Sequence, residues 1–506
     1  MQFGTSECLE HWARYHPSKT AVWFNGKGVS YRDFSLLVDR IAARVIEIPT
    51  TSGRIAIAAN SKISTLLAIY GTIRAGKSAV LLNVGLSTET LRTNIMDASV
   101  DGILAASDCL SLVELLPARS PIYSIDELIA ADEHSVPKKE SWPLRQGHQE
   151  WGVFFSSGTT GIPKAIERSH HSVVTELLGW VIELQLNRST SFYIGRPIYY
   201  TGGAVLALSV LLTGGSLILN DYDRDLDFHQ IWRDYQAACQ RMAIDWAFFI
   251  PDQIRAFLTE AGANKPVNAA RTLLLMGAPI SGDEKVHARN VLGSGIVESW
   301  GNSESLGTIT EPEDVIIRPN SIGRPFLSDY MCVVDETGQP VGEGELGRLS
   351  GGVEAGFEKY ANRPRDTDRA KQGGLIVSED IGYVDRDGYF YVKGRVQESV
   401  VVGTKTYFVT ELEAAVREIR GVKECIVAAK PGDIVAFGAI LALSDGVEEL
   451  GVRRNVQQAL KDAIGSSDVV IHDPLIVEAI PRLPSGKVDR LRSFETIFDS
   501  QVPEPT

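Results

Sequence analysis

The sequence predicts an α/β protein: a large N-terminal domain of layered α/β subdomains with a β-rich subdomain, then a small mobile α+β C-terminal domain. Three observations lead there. Amphipathic helical stretches alternate with short buried strands until past residue 300, the wiring of a largely parallel sheet. From Gly323 the pattern changes to short strands joined by glycine-bearing turns such as Glu336-Thr337-Gly338 and Arg386-Asp387-Gly388. The C-terminal part returns to strands flanking a long helix, and 506 residues are too many for one hydrophobic core.

Taken in order, residues 31–45 have the apolar spacing of an amphipathic helix, 54–58 read as a buried strand, 63–75 as a helix ended by Gly76, and 78–82 as the next strand. Residues 151–155 and 165–168 read as strands around a polar loop. A helix follows, whose apolar face is expected from Val173, Val174, Leu177, Leu178, Val181 and Ile182. Further on, 204–212 predict a buried helix, 216–219 a strand, 228–238 a helix, and 246–250, 272–276 and 295–297 strands. In the tail, 422–428 and 436–443 look like strands and 448–464 like a helix. No internal repeat or low-complexity tract interrupts this order.

Composition narrows the partners. Hydrophobic residues make up 44% and charged residues 23% of the chain, an ordinary globular mixture. Fifty basic against 64 acidic residues give a formal charge of −14, which argues against nucleic acid or an anionic membrane as the main partner. Any phosphate site must be a local exception. Cys8, Cys109, Cys239, Cys332 and Cys425 are scattered without a Cys-x-x-Cys pair, so neither a disulfide framework nor a zinc site is indicated, and reduced cytoplasm is the expected compartment. The start, Met1-Gln2-Phe3-Gly4-Thr5-Ser6-Glu7, lacks a basic segment followed by an apolar run, and no stretch approaches roughly 18 uninterrupted apolar residues, so neither an export signal nor a membrane span is expected.

The densest chemistry lies in Ser156-Ser157-Gly158-Thr159-Thr160-Gly161-Ile162-Pro163-Lys164. Its glycines open backbone conformations closed to other residues, its hydroxyls add donors and its lysine adds fixed charge, a combination suited to a polyphosphate. A mobile surface loop is the plainer account, and the Pro-Lys ending argues against it. The loop is not a Walker motif, because its glycines are too close and Pro163 precedes the lysine. Glu298-Ser299-Trp300-Gly301-Asn302-Ser303-Glu304 follows a short strand and is expected to form a polar turn at the carboxyl edge of the sheet, where ligands bind in open α/β folds. By itself it is equally a turn with a half-buried tryptophan. Ser378-Glu379-Asp380 opens a hairpin leading to Lys393-Gly394-Arg395, and Pro481-Arg482-Leu483-Pro484-Ser485-Gly486-Lys487 is a basic, turn-rich segment. Alone, these two are a hairpin and a solvated loop lysine.

Together, Ser156 to Lys164, Trp300-Gly301-Asn302-Ser303-Glu304, Asp380 with Gly394-Arg395, and Pro484-Ser485-Gly486-Lys487 stand in the order and spacing of the adenylate-forming superfamily. The chain resembles that superfamily, which comprises acyl-CoA synthetases, firefly-type luciferases and nonribosomal peptide adenylation domains, over nearly its whole length, and most resembles a standalone acyl-CoA synthetase. The resemblance implies ATP, Mg²⁺ and, as cosubstrate, coenzyme A. It implies that Thr159, Thr160 and Lys164 hold the ATP phosphates within a loop that also includes Ser156, Ser157, Gly158 and Gly161. Gly277-Ala278-Pro279, Ser299, Gly301 and Ser303 would complete the nucleotide site. Trp300 would stack on adenine, Glu298 would face its amino edge, Glu304 would bind Mg²⁺, Asp380 would take both ribose hydroxyls and Arg395 would support them. Lys487, with Lys164 and Glu304, would be catalytic, approaching the α-phosphate and the attacking carboxylate.

The resemblance further implies a hinge at Gln397, between a domain of residues 1–395 and a mobile domain of residues 396–506, with the thiol entering beside Val402-Gly403. The sequence departs from the family pattern at three places: Gln397 replaces the usual hinge Asp or Lys, Ser378-Glu379-Asp380 replaces Thr-Gly-Asp, and Tyr200 stands where acyl-CoA synthetases often carry histidine. The acid pocket is expected from Tyr199, Tyr200, Gly202, Gly203, Phe248, Met276, Gly277 and Asn302. It is aromatic and apolar, with no acid placed at Tyr200 to bind an α-ammonium group, which points to acyl or aryl acids rather than amino acids. The expected reaction is adenylation of such an acid followed by transfer to CoA, by a monomer or homodimer. Loading of an acyl or peptidyl carrier protein is the near alternative, although no carrier domain is expected within this chain. A catalytically dead nucleotide-binding regulator is the distant one, disfavoured because Lys164, Glu304, Asp380, Arg395 and Lys487 are all retained.

Overall fold

Short apolar runs such as Ile55-Ala56-Ile57 and Leu273-Leu274-Leu275 are buried on both faces, which is what helices covering a parallel sheet require. The computed structural model describes residues 4–114, 120–130, 142–143, 146–156, 163–221, 228–261, 269–403, 405–432, 434–444, 446–466, 468–482 and 488–499. The α/β alternation resolves into two sheets. The first has seven strands in the order Lys359–Tyr360, Ala165–Ser169, Glu150–Phe155, Ser78–Leu81, Arg54–Ala58, Gly102–Ala105, Ile122–Ser124. The second has nine, in the order Arg324–Pro325, Gly307–Ile309, Gly295–Gly301, Thr272–Met276, Trp246–Phe249, Ser191–Ile194, Ser216–Leu219, Thr20–Phe24, Lys27–Ser30. Central pairings in both are parallel; both margins of the second sheet and the Lys359–Tyr360 margin of the first are antiparallel, while the Ile122–Ser124 edge of the first is parallel.

One apolar core joins the sheets. It takes Ile55, Leu81 and Phe154 from the first, Phe192, Leu217 and Leu274 from the second, and the inward faces of helices Tyr31–Val45, Lys62–Arg74, His170–Glu183 and Thr201–Leu212. Within Thr201–Leu212 every residue from Gly203 on is buried. The expected apolar face of His170–Glu183 needs correction. Val173 and Leu177 are fully buried, but Leu178 is 38% and Ile182 53% exposed, because the packed stripe runs on through Trp180.

Beyond the two sheets, strands Asp329–Val334, Gly347–Val353, Lys371–Gln372, Leu375–Val384 and Phe390–Arg395 form an antiparallel five-stranded sheet, the expected β-rich part. The hairpin Ser399–Val402/Lys405–Phe408 follows, then a mixed sheet of Val422–Lys430, Val435–Leu443, Val469–Ile471 and Leu475–Ile476. Helices Val409–Arg417, Glu449–Ile464 and Arg490–Asp499 cover that sheet through two apolar clusters, one including Val416, Phe437 and Leu460, the other Ile440, Ile497 and Phe498.

Candidate active site

The first sheet presents the neck of the polar loop. Glu150–Phe155 and Ala165–Ser169 pair antiparallel, and the loop between them closes with two hydrogen bonds: Ser156 N–H donates to the Lys164 carbonyl and Lys164 N–H donates to Ser156 Oγ, each at 3.0 Å. Ser157, Gly158, Thr159, Thr160 and Gly161 lie outside the described residues. The short strand Lys359–Tyr360 pairs onto Ala165–Ser169, with Tyr360 opposite Ile166. That pairing brings Tyr360 between two expected site residues. Its hydroxyl donates to Glu304 Oε1 at 2.5 Å, and Lys164 Nζ sits 4.9 Å from its ring centroid and 3.8 Å from Asp366 Oδ2. Burial and the Glu304 charge push the Tyr360 hydroxyl far up, so it stays a proton donor. Sequence reasoning missed Tyr360, since the strand pairing that places it joins residues far apart in the chain.

The second sheet carries the strand that holds the Glu298 to Gly301 stretch. Strand Gly295–Gly301 runs through Glu298, Ser299, Trp300 and Gly301, where a polar turn was expected; each pairs across the ladder with Thr272–Met276 or Gly307–Ile309. The strand continues because Ser299 Oγ donates to the Thr308 carbonyl (2.9 Å) and Glu298 finds a buried counter-ion. Lys285 Nζ donates to Glu298 Oε2 (2.6 Å) and to the Ser321 carbonyl (3.0 Å), with both side chains nearly inaccessible. Burial pushes the Glu298 carboxyl up while Lys285 pulls it back. Glu298, expected to face the adenine amino edge, thus has one carboxylate oxygen bonded to Lys285 inside the sheet.

Asp380 and Arg395 lie opposite each other on paired strands, and Arg395 Nε donates to Asp380 Oδ1 at 3.1 Å. Burial raises the Asp380 carboxyl above its ordinary range, opposed by Arg395 and by the Trp300 side chain, which helps hold the carboxylate's charge. Asp380 N–H in turn donates to Ser378 Oγ (3.1 Å), so the serine of the atypical Ser378-Glu379-Asp380 fixes the backbone here. Trp300, Asp380 and Arg395, chosen from separate stretches of sequence, thus converge. Asn302 shapes the segment leading to Glu304: its N–H donates to the Leu306 carbonyl (3.1 Å) and its Oδ1 accepts from Leu306 N–H (2.9 Å).

The acid-pocket residues gather at the carboxyl ends of the parallel strands. Tyr199 and Tyr200 have ring centroids 4.8 Å apart, and Asn83 Nδ2 donates to the Tyr200 hydroxyl at 3.1 Å. Buried Arg196 lies over the Tyr200 ring at 4.9 Å. A Cβ at Gly202 would come within 2.5 Å of the Met276 terminal methyl and 3.7 Å of Phe248, so these three share one wall. A Cβ at Gly203 would come within 2.4 Å of the Pro197 carbonyl oxygen, a backbone atom that has no room to yield. Gly277, at φ +100°, turns the chain into Ala278-Pro279, a conformation reserved for glycine. Thr201 Oγ1 donates to Ser303 Oγ (3.3 Å), linking this wall to the Glu304 segment. Asn83 and Arg196 were not singled out from the sequence; neither sits in a distinctive motif.

Gln397 lies in the 3₁₀ turn Val396–Glu398, where its Nε2 donates to Glu379 Oε2 at 3.0 Å, beside Asp380. Gly403, at φ +63°, follows Val402 at the end of the strand Ser399–Val402. Lys487 lies outside the described residues; the chain around it is described at Arg482 and Val488, which form a bridge, and at Asp489, whose N–H donates to the Pro481 carbonyl (2.9 Å). The donor set fits Mg²⁺ carried on phosphates, since that ion asks of the protein only one or two hard carboxylate oxygens, and Glu304, steadied by Tyr360, supplies such a group.

Comparison with known proteins gives three findings of one kind. A family model described as AMP-binding enzyme matches residues 9–352. Among curated relatives, the 2-succinylbenzoate–CoA ligase of Listeria monocytogenes is 22% identical over 487 residues, covering 95% of this chain and 97% of that protein, and the fatty acid–[acyl-carrier-protein] ligase ScoC of Streptomyces coeruleorubidus is 24% identical, covering 94% and 93%. Among solved structures, the O-succinylbenzoate coenzyme A synthetase of Bacillus subtilis in complex with AMP superposes with a TM-score of 0.82 at 20% identity, covering 96% of this chain and 97% of that one.

Proposed function

The chain belongs to the AMP-binding enzyme family, and from that premise we propose that it activates an apolar acyl or aryl carboxylic acid with ATP and passes the acyl group to the thiol of coenzyme A. The observation that carries this reading is the convergence of Trp300, Asp380 and Arg395, together with a separate Lys164–Tyr360–Glu304 cluster and an aromatic, apolar wall that includes Tyr199, Tyr200, Phe248 and Met276. Asp380 and Arg395 grip the ribose, Trp300 covers the adenine and Lys164 meets the phosphates. Glu304 holds Mg²⁺, which supplies charge neutralisation of the phosphates when bound. A carboxylate oxygen of the acid attacks the α-phosphorus, the bond to the bridging oxygen breaks and pyrophosphate leaves. Two anions meet in this step, and Lys487 supplies the positive charge that lets them. The thiolate sulfur then attacks the acyl carbon and AMP leaves.

The same reading places a hinge at Gln397, between residues 1–395 and 396–506, because Lys487 and Gly403 belong to one C-terminal unit yet serve different steps. We further propose the cytoplasm as its compartment, on five cysteines scattered without a Cys-x-x-Cys pair; among the described residues no helix is long and apolar enough to cross a membrane. The test is ATP–pyrophosphate exchange across a panel of aryl, medium-chain and polycyclic acids; no exchange with any acid would overturn the reading. Similarity to ScoC favours one second reading, loading of a carrier protein. Supplying the activated acid with CoA or with a holo-carrier protein separates the two by which thiol becomes acylated.

A further inference from the structure

On the reading above the C-terminal unit serves two steps in two orientations, so a contact between it and the large sheets should be strong enough to favour one and weak enough to break. Arg482 makes a contact of that kind. Its Nη1 donates to Asp252 Oδ2 at 2.7 Å, across 230 residues of sequence, and its Nη2 donates to Glu424 Oε2 at 2.9 Å, within the C-terminal sheet. Asp252 stands in the first turn of helix Pro251–Ala261, directly after the strand Trp246–Phe249 that supplies Phe248 to the acid pocket. It is itself held by Arg255 Nη1 (2.5 Å), and Arg255 also donates to Glu284 Oε1 (2.6 Å) and to the carbonyl of Pro279 in the nucleotide turn (2.9 Å). A continuous polar chain thus runs from Pro279 through Arg255 and Asp252 to Arg482.

The other side of the Lys487 segment is tied differently. Arg490 forms ion pairs with Glu413, buried in helix Val409–Arg417, and with Glu398 at the hinge (3.5 Å), and neither partner belongs to the large sheets. The far end of the segment therefore travels with the C-terminal unit, while Arg482 alone of these two arginines reaches the sheet edge. The pair is partly open to water, its side chains 29% and 13% exposed. Such a pair adds little to folding but is suited to biasing two arrangements of similar energy.

We infer that the Arg482–Asp252 ion pair is a positioning pair for adenylation: it docks the C-terminal unit against the start of helix Pro251–Ala261 for that step, and it opens before thiol transfer. The inference rests on the adenylation reading given above. Its test uses the full chain, with ATP–pyrophosphate exchange and single-turnover thioesterification of preformed acyl-AMP measured in parallel. Arg482→Ala and Asp252→Asn should each lower exchange at least five-fold and leave thioesterification within two-fold of wild type. The double variant should lose no more than the worse single variant, as expected when two residues act through each other. Arg482→Lys should recover part of the exchange, and Glu424→Gln should leave the ratio of the two rates unchanged. Orientation is read without turnover by spin-label distances between Thr259→Cys and Asn455→Cys in a Cys332→Ser background, where Arg482→Ala should deplete the distance population that dominates with ATP and Mg²⁺. Equal losses in both half-reactions, additive losses in the double variant or an unchanged distance distribution would overturn the inference. If the wild type exchanged no pyrophosphate with any acid, the adenylation reading itself would fall, and the distance distributions would still decide whether the pair docks the two units.

Discussion

Asp380 shows how a single residue combines stability and chemistry. Its carboxylate is buried and leans on Arg395, so removing it leaves a cation without that partner and, on the proposed reading, a nucleotide without its ribose anchor. Asp380→Ala should raise the ATP requirement of adenylation, because each charge-assisted hydrogen bond lost contributes about 1.5–3 kcal/mol; unchanged ATP affinity by calorimetry would remove Asp380 from the site. Tyr360 acts at one remove. Tyr360→Phe keeps the ring beneath Lys164 and deletes the donor to Glu304, so the Mg²⁺ concentration giving half-maximal ATP binding should rise several-fold while the fold is unaffected, and an unchanged Mg²⁺ titration would reduce Tyr360 to packing. Asp329 offers a pH test. Burial, then Glu176 and Glu183, raise its carboxyl from 3.8 to about 7. The folded state thus binds the proton more tightly than the unfolded chain, and the stability this gives is full below pH 3.8 and lost as pH rises through 7. Asp329→Asn should therefore match wild type near the acid limit and exceed it at pH 8 by about 1–2 kcal/mol after allowance for partial exposure, as read from urea midpoints.

At the scale of elements, the start of helix Thr201–Leu212 is tightly constrained where the acid pocket is proposed. Its two glycines face different neighbours. At Gly203 the obstacle is the Pro197 backbone, so Gly203→Ala must shift the helix and should lower the unfolding midpoint clearly. At Gly202 the obstacle is the flexible end of Met276, so Gly202→Ala should fold normally and narrow the range of acids that support pyrophosphate exchange towards smaller ones. Equal stability losses in the two variants would show that the Met276 side chain is not free to give way. The strand Gly295–Gly301 makes a similar point about polar sequence. Glu298-Ser299 reads as a turn only until Lys285, from the preceding helix Gly282–Leu292, is placed against it. A buried carboxylate can sit inside a sheet when a lysine partner offsets its desolvation.

At the scale of the whole molecule, the prediction concerns division of labour between steps. Lys487→Ala should lower adenylation by about a hundred- to thousand-fold, the usual effect of losing one preorganised charged donor, and spare thioesterification from a preformed acyl-AMP. The anionic crowding it relieves has passed once the mixed anhydride exists. Equal losses in both steps would make Lys487 a structural residue and leave Lys164 as the charge that adenylation needs.

The sequence by itself determined the local elements and the chemistry each motif can offer. Apolar periodicity places the helix Tyr31–Val45 and the strands Arg54–Ala58 and Thr272–Met276 where the structure has them, because burial on one or both faces leaves a spacing that local reading detects. Lys164, Trp300, Glu304, Asp380 and Arg395 were picked out by the order and spacing of motifs that resemble a family pattern, each being a loop, a turn or a hairpin when read alone. Which motifs meet is set by tertiary structure alone. That the alternation splits into two sheets, with Thr20–Phe24 parallel to Ser216–Leu219 and Lys359–Tyr360 beside Ala165–Ser169, depends on strand pairings between distant segments, which leave no mark on either segment alone. So do Tyr360 on Glu304, Lys285 on Glu298 and Arg482 on Asp252. A hydrogen bond or ion pair needs two groups within about 3 Å, and only folding sets that distance.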